Sequence, residues 1–177
     1  MEAWIPLRFV RSGFSTAFLK ARIMKTMLKM FAAASMAVAA GPLFAADMGT
    51  TQEAEALVKK ASAYLKSADR TKALAEINNP KGMFVDRDLY VFVLDLKGTT
   101  LAAGSDSVRR SVGMNVFDVR DIDGKYYVRD MISTATGKGS GWVDFKFPNR
   151  LKNDVIEKRS NYVQRVDDLV IGCGAFR

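Results

Sequence analysis

The stretch GWVDFKFPNRLKNDVIEKRSNYVQRVDDLVIGCGAF, residues 141–176, decides how the rest of the chain is arranged. It reads as three strands: Trp142 to Phe147, Asp154 to Val166 and Leu169 to Phe176. Each is rich in aromatic or β-branched residues, which suit a pleated, half-buried surface. The breaks at Pro148-Asn149-Arg150 and Asp167-Asp168 are turn chemistry. Breaks this short predict an antiparallel meander, because a parallel connection needs a dozen or more residues.

Upstream, Thr50-Thr51-Gln52-Glu53 fits a capping box. The apolar residues Ala54, Leu57, Val58, Ala61, Tyr64, Leu65 and Ala68 follow at helical spacing. That predicts a long amphipathic helix whose stripe covers one face of the sheet. Asp69 is placed to cap a second, short helix with Ala73, Leu74 and Ile77, ended by Asn78-Asn79-Pro80-Lys81-Gly82. Leu89 to Leu96 is nearly continuously apolar, as a strand covered on both faces would be. Lys97-Gly98 is a hairpin turn and Thr99 to Ala103 the returning strand. Ser105 to Val119 reads as a crossing loop. Lys125 to Thr136 reads as a helix, with Asp121 or Asp123 as its cap. The order predicts an α+β fold: a five-stranded antiparallel sheet with helices on its faces.

Charge separates the chain into two parts. Of 27 basic and 19 acidic residues, six and one lie within residues 1–46, which leaves 21 against 18 for the remainder. The basicity is therefore concentrated near the N-terminus, and the later charges alternate in sign, which argues against nucleic acid. Met24-Lys25-Thr26-Met27-Leu28-Lys29, the uncharged run Met30 to Phe44 and the small residues before Asp47 form the three-part pattern of a secretory signal peptide. The apolar run is shorter than the ~20 residues of a spanning helix. The expected organisation is an extension and leader over 1–46, with translation starting at Met24, and one periplasmic domain over 47–177. An uncleaved membrane anchor is the alternative.

Enzymatic chemistry finds little material. The chain has no histidine, the commonest general base. Its single cysteine, Cys173, lies in an apolar strand and reads as a small buried residue. Asp121 cannot open a calcium loop, because Lys125, Tyr126 and Ile132 stand at the fifth, sixth and twelfth positions. No metal, cofactor or catalytic residue is expected. Lys158 shares a strand face with Ser160 and Tyr162 by alternation, and a lysine on such a mixed apolar and hydroxyl surface calls for an anionic partner. Tyr90, Phe92, Trp142, Phe145 and Phe147 are candidate pocket walls. The alternatives are that these aromatics are core and that Lys158 pairs with Asp144 or Glu157 or reaches solvent.

Six segments in order carry a resemblance: Leu89 to Asp95 followed by Gly98, Gly113-Met114-Asn115, Asp121 to Lys125, Gly141 to Phe147, Lys158 to Val163, and Asp168 to Gly174. Together they resemble the single Cache domain family, type 2. The resemblance implies a PAS-like sheet with a long N-terminal helix behind it and a ligand pocket in front. It implies an extracytoplasmic sensor of small molecules, often short carboxylates, acting in chemotaxis or other signal transduction. Lys158 and Tyr162 match the family's K-x-S-Y-V strand, and Tyr90 its first-strand aromatic. Phe145 and Phe147 stand where Tyr and Trp are usual, Ala103 where a His is usual, and Asn149-Arg150 replaces Asn-Pro. The expected function is binding of a small organic anion and signalling through a separate membrane-bound histidine kinase or chemoreceptor. A structural periplasmic subunit with a vestigial pocket is the alternative.

Overall fold

The computed structural model describes residues 48–177, so the leader and the start at Met24 lie outside the described residues. Helix α1 (Thr51–Ser67) opens on the capping box. Thr50 Oγ1 accepts from Glu53 N at 3.2 Å, and the Glu53 carboxylate accepts from Thr50 N at 2.8 Å. These two bonds satisfy N–H groups that the first helical turn leaves without partners. Helix α2 (Arg70–Ile77) is capped by Asp69, which accepts from Lys72 N.

Strands β1 (Val85–Asp86) and β2 (Leu89–Tyr90) form a small hairpin. Strands β3 (Phe92–Asp95), β4 (Thr100–Ala103), β5 (Ser140–Asn149), β6 (Val155–Val166) and β7 (Leu169–Phe176) form one antiparallel sheet, in the order β4-β3-β7-β6-β5. Between β4 and β5 lie the short helix α3 (Asp106–Arg109) and helix α4 (Tyr127–Lys138). The meander and the α+β class therefore stand, as a PAS-like arrangement.

Three local expectations are corrected. The apolar run from Leu89 divides at Val91, because the chain changes partner there: β2 pairs with β1, whereas β3 pairs with β4 and β7. Asp121 does not cap α4, whose N-cap is Tyr126 without a side-chain bond. Its carboxylate instead accepts from the backbone N–H groups of Asp123, Lys125 and Lys146, which ties the turn to β5. Burial pulls that carboxyl upward, but the three donors outweigh it and hold it below its ordinary range. Finally, β5 continues through Pro148 to Asn149. It is an edge strand, where a missing N–H costs the ladder nothing. The turn falls later, in the 3-10 segment Arg150–Lys152 and the left-handed residues Asn153 and Asp154.

Alternation sorts the sheet into two faces. Behind it, Ala54, Val58 and Ala61 of α1 pack with Tyr162, Ile171, Cys173 and Ala175 in one buried cluster. In front, Val128, Met131, Ile132 and Ala135 of α4 pack with Phe92, Leu94, Val143, Phe145, Val163 and Val170 in another.

Candidate functional site

The front face holds a cavity of about 270 Å³. Tyr90, Phe92 and Leu94 enter it from β2 and β3, Phe145 and Phe147 from β5, and Arg159 and Asn161 from β6. Tyr127, Val128 and Met131 of α4 and Val116 and Val119 of the preceding loop close it. Most of this wall is apolar, as in small-molecule sites generally.

Arg159 is the notable group. It is 3% exposed. Its guanidinium donates from Nη2 to the Gly174 carbonyl at 2.8 Å and from Nε to Asn161 Oδ1 at 3.2 Å. Its Nη1 hydrogen-bonds nothing among the described residues. No described carboxylate forms an ion pair with it. Three rings surround it instead, with centroids at 4.6 Å (Phe176), 5.1 Å (Tyr90) and 5.8 Å (Phe147). Such contacts support a cation but do not neutralise it. A buried charge without a counter-charge is costly, and an anion arriving in the cavity removes that cost.

Other donors converge on the same space. Asn161 is 4% exposed, and its Nδ2 meets only the weak acceptor Met131 Sδ at 3.9 Å. The Tyr90 and Tyr127 hydroxyls line the cavity and hydrogen-bond nothing among the described residues. Burial raises the Tyr90 hydroxyl and pushes that of Tyr127 up to about 12, so both remain protonated donors at neutral pH. Tyr127 stacks on Phe145 at 4.3 Å, and Phe145 meets Phe147 edge-on at 5.8 Å, which fixes the aromatic wall.

Two glycines make this arrangement fit. A Cβ on Gly172 would lie 2.3 Å from the Phe92 ring, and one on Gly174 would lie 1.7 Å from Asn161 Oδ1. Phe92 and the Asn161–Arg159 pair therefore lie flat on β7 only because those positions carry no side chain.

The structure brings together Tyr90, Phe92, Phe145 and Phe147 of the eight candidate residues and separates the other four from them. Lys158, Ser160 and Tyr162 share one face, but it is the back face, and Trp142 pairs with Tyr162 there. Tyr162 is in the α1 core and tilts against Trp142 at 5.2 Å, and Trp142 is 36% exposed at the sheet edge. Ser160 donates to Asp144. Lys158 is exposed and pairs with neither expected carboxylate. Asp144 meets Ser160 and Arg177, and Glu157 meets Lys152 and Asn149. Arg159 and Asn161 take the place in the cavity that the sequence reading gave to Lys158 and Ser160. Cys173 is buried behind the sheet, and burial pushes its thiol up to about 12, which makes it unreactive. No group of acidic and cysteine side chains able to hold a metal occurs among the described residues.

A second cavity of about 160 Å³ adjoins the first and shares Tyr90, Ser107, Phe147 and Arg159 with it. Arg87, Asp88 and Arg150 also line it. No helix among the described residues is long and apolar enough to cross a membrane.

Among solved structures, the fold is similar to a periplasmic sensor domain of a chemotaxis protein (24% identity, TM-score 0.55, covering 71% of this chain and 88% of that one). It is also similar to a methyl-accepting chemotaxis protein from Vibrio parahaemolyticus (16% identity, TM-score 0.58, 88% and 95% covered). A Cache chemosensory domain described for carboxylic acid recognition matches at 18% identity and TM-score 0.55, with 92% and 97% covered. No curated protein matches the chain. The family model for single Cache domain 2 matches residues 26–176, and the protein belongs to that family of extracytoplasmic sensory domains.

Proposed function

We propose that the protein is a periplasmic sensor that binds a small organic anion in the front cavity, with Arg159 as the anchor. The observation that carries this is a buried guanidinium, without a carboxylate partner, on the wall of an apolar cavity. Asn161 and the Tyr90 and Tyr127 hydroxyls are the further donors, and Phe92, Phe145 and Phe147 hold the ligand's body. The similarity in fold to a Cache chemosensory domain described for carboxylic acid recognition supports the ligand class. The chain carries no catalytic constellation in this reading: it reports occupancy to a membrane-bound chemoreceptor or histidine kinase. Export through the leader leaves Ala46 or Asp47 at the N-terminus, which mass spectrometry of material made with its own leader checks. An intact N-terminus in the membrane fraction would favour an anchor.

A thermal-shift screen against small carboxylates, amino acids and amines tests the binding claim. A ligand at ~100 times its dissociation constant stabilises a fold by about 2.7 kcal/mol. Carboxylates are expected to raise the melting temperature of wild type and of Lys158→Met, and to shift Arg159→Met much less. A carboxylate shift as large in Arg159→Met as in wild type would remove the anchor from this site.

A further inference from the structure

The shape and charge of the cavity narrow the ligand class, an inference that rests on the anion site just proposed. We infer that the ligand is a monocarboxylate with an extended apolar body of about five to eight carbons, rather than an acetate-sized acid or a dicarboxylate; the volume sets that rough size at ~30 Å³ per water-sized group.

Three observations support this. The first is volume. A cavity of about 270 Å³ takes roughly nine water-sized groups at ~30 Å³ each. Acetate would leave more than half of it unfilled. The second is length. The Arg159 guanidinium lies at the Gly174 carbonyl of β7, and Leu94, also on the cavity wall, lies opposite Val170. Those levels are four residue steps apart along the strand, roughly 13 Å of backbone at ~3.3 Å per residue. The cavity therefore extends away from its cation, along the ladder, toward Leu94, Thr100 and Val116.

The third is charge. Among the described lining residues, Arg159 is the one cation, and no carboxylate faces it. At the far end the hydroxyls satisfy one another: Ser111 Oγ donates to the Val108 carbonyl at 2.6 Å and reaches Thr100 Oγ1 at 3.2 Å. A second carboxylate placed there would lose its hydration without gaining a counter-charge. The adjoining cavity offers no better place. Asp88 lines it, with its Oδ2 buried and unbonded, so a second carboxylate would approach a like charge. Of the arginines there, Arg87 is tied to Glu53 and Asp86, and Arg150 is exposed. One anionic head at Arg159 and an apolar tail along Phe92, Val128 and Met131 match what the walls provide.

Isothermal titration of the purified protein with acetate, butanoate, hexanoate and succinate tests the inference. Each methylene buried contributes ~0.8 kcal/mol, so affinity should rise about fourfold per carbon from acetate to hexanoate. Succinate should bind more weakly than butanoate, which has the same number of carbons and one charge fewer. Affinity that is flat or falling with chain length, or succinate binding more tightly than butanoate, would overturn the inferred class. The same series on Arg159→Met separates this from failure of the anion site. A length-independent series abolished by Arg159→Met leaves the site standing and rejects the apolar body. A series unchanged by Arg159→Met rejects both.

Discussion

The two faces of one sheet are built from alternating residues of the same strands, yet they do different work. Behind the sheet, Tyr162, Ile171, Cys173 and Ala175 meet the apolar stripe of α1 and fill the space. In front, Arg159, Asn161, Gly172 and Gly174 occupy the intervening positions and leave a cavity under α4. The back face puts volume where a helix must pack. The front face combines two absent side chains with one unneutralised charge. The comparison teaches that a site can be recognised by what its face withholds: volume at two glycines and a counter-ion at one arginine.

The comparison can be broken at several points. The largest effect is expected behind the sheet. Ile171 is fully buried against α1, so Ile171→Ala should destabilise by about 2–5 kcal/mol in a denaturant titration, and binding per folded molecule should be unchanged. In front, Arg159→Met should weaken carboxylate binding by about 1.5–3 kcal/mol, the worth of a hydrogen bond to a charged group, without loss of stability. Gly174→Ala should lower stability by about 1–3 kcal/mol and weaken binding too, because the new methyl displaces Asn161 and with it Arg159. Binding should also be flat between roughly pH 6 and 9. The chain has no histidine, arginine does not titrate there, and burial holds the Tyr90 and Tyr127 hydroxyls protonated. Affinity should fall only as the ligand's own carboxylate gains a proton, at about pH 4–5. The smallest effect is expected at Lys158, where Lys158→Met should change stability by no more than about 0.5 kcal/mol and leave binding unaltered. A larger loss of affinity there would move the site to the back face.

Much of the fold was legible because it depends on local rules. The capping box at Thr50, the cap at Asp69, the stripe of α1 and the turn at Asp167-Asp168 each act within a few residues. The β1–β2 hairpin was not legible, since a two-residue strand carries no periodicity and the Leu89 run looks continuous across the change of partner at Val91. The site was half legible. Period 2 grouped Lys158, Ser160 and Tyr162 correctly, and a one-residue choice of face then put the wrong set in the cavity. The deciding signal lay across the hairpin. The short turn pairs Val166 with Leu169 and Tyr162 with Cys173, so Tyr162 shares the face of Leu169, Ile171 and Cys173. That apolar row is the one that suits the α1 stripe. Gly172 and Gly174 then mark the other face as the one with room, and Arg159 and Asn161 point to it.

The most direct test of the account is a methyl-resolved NMR titration of the protein with its tightest-binding carboxylate. Val128, Met131 and Val163 report the front face, and Val58, Ile171 and Ala175 the back. The large shift changes are expected at Val128 and Met131, together with a change at the Arg159 side-chain N–H, while Val58 and Ile171 stay nearly still. Changes centred on Val58, Ile171 and the residues around Lys158, with the front face silent, would contradict it.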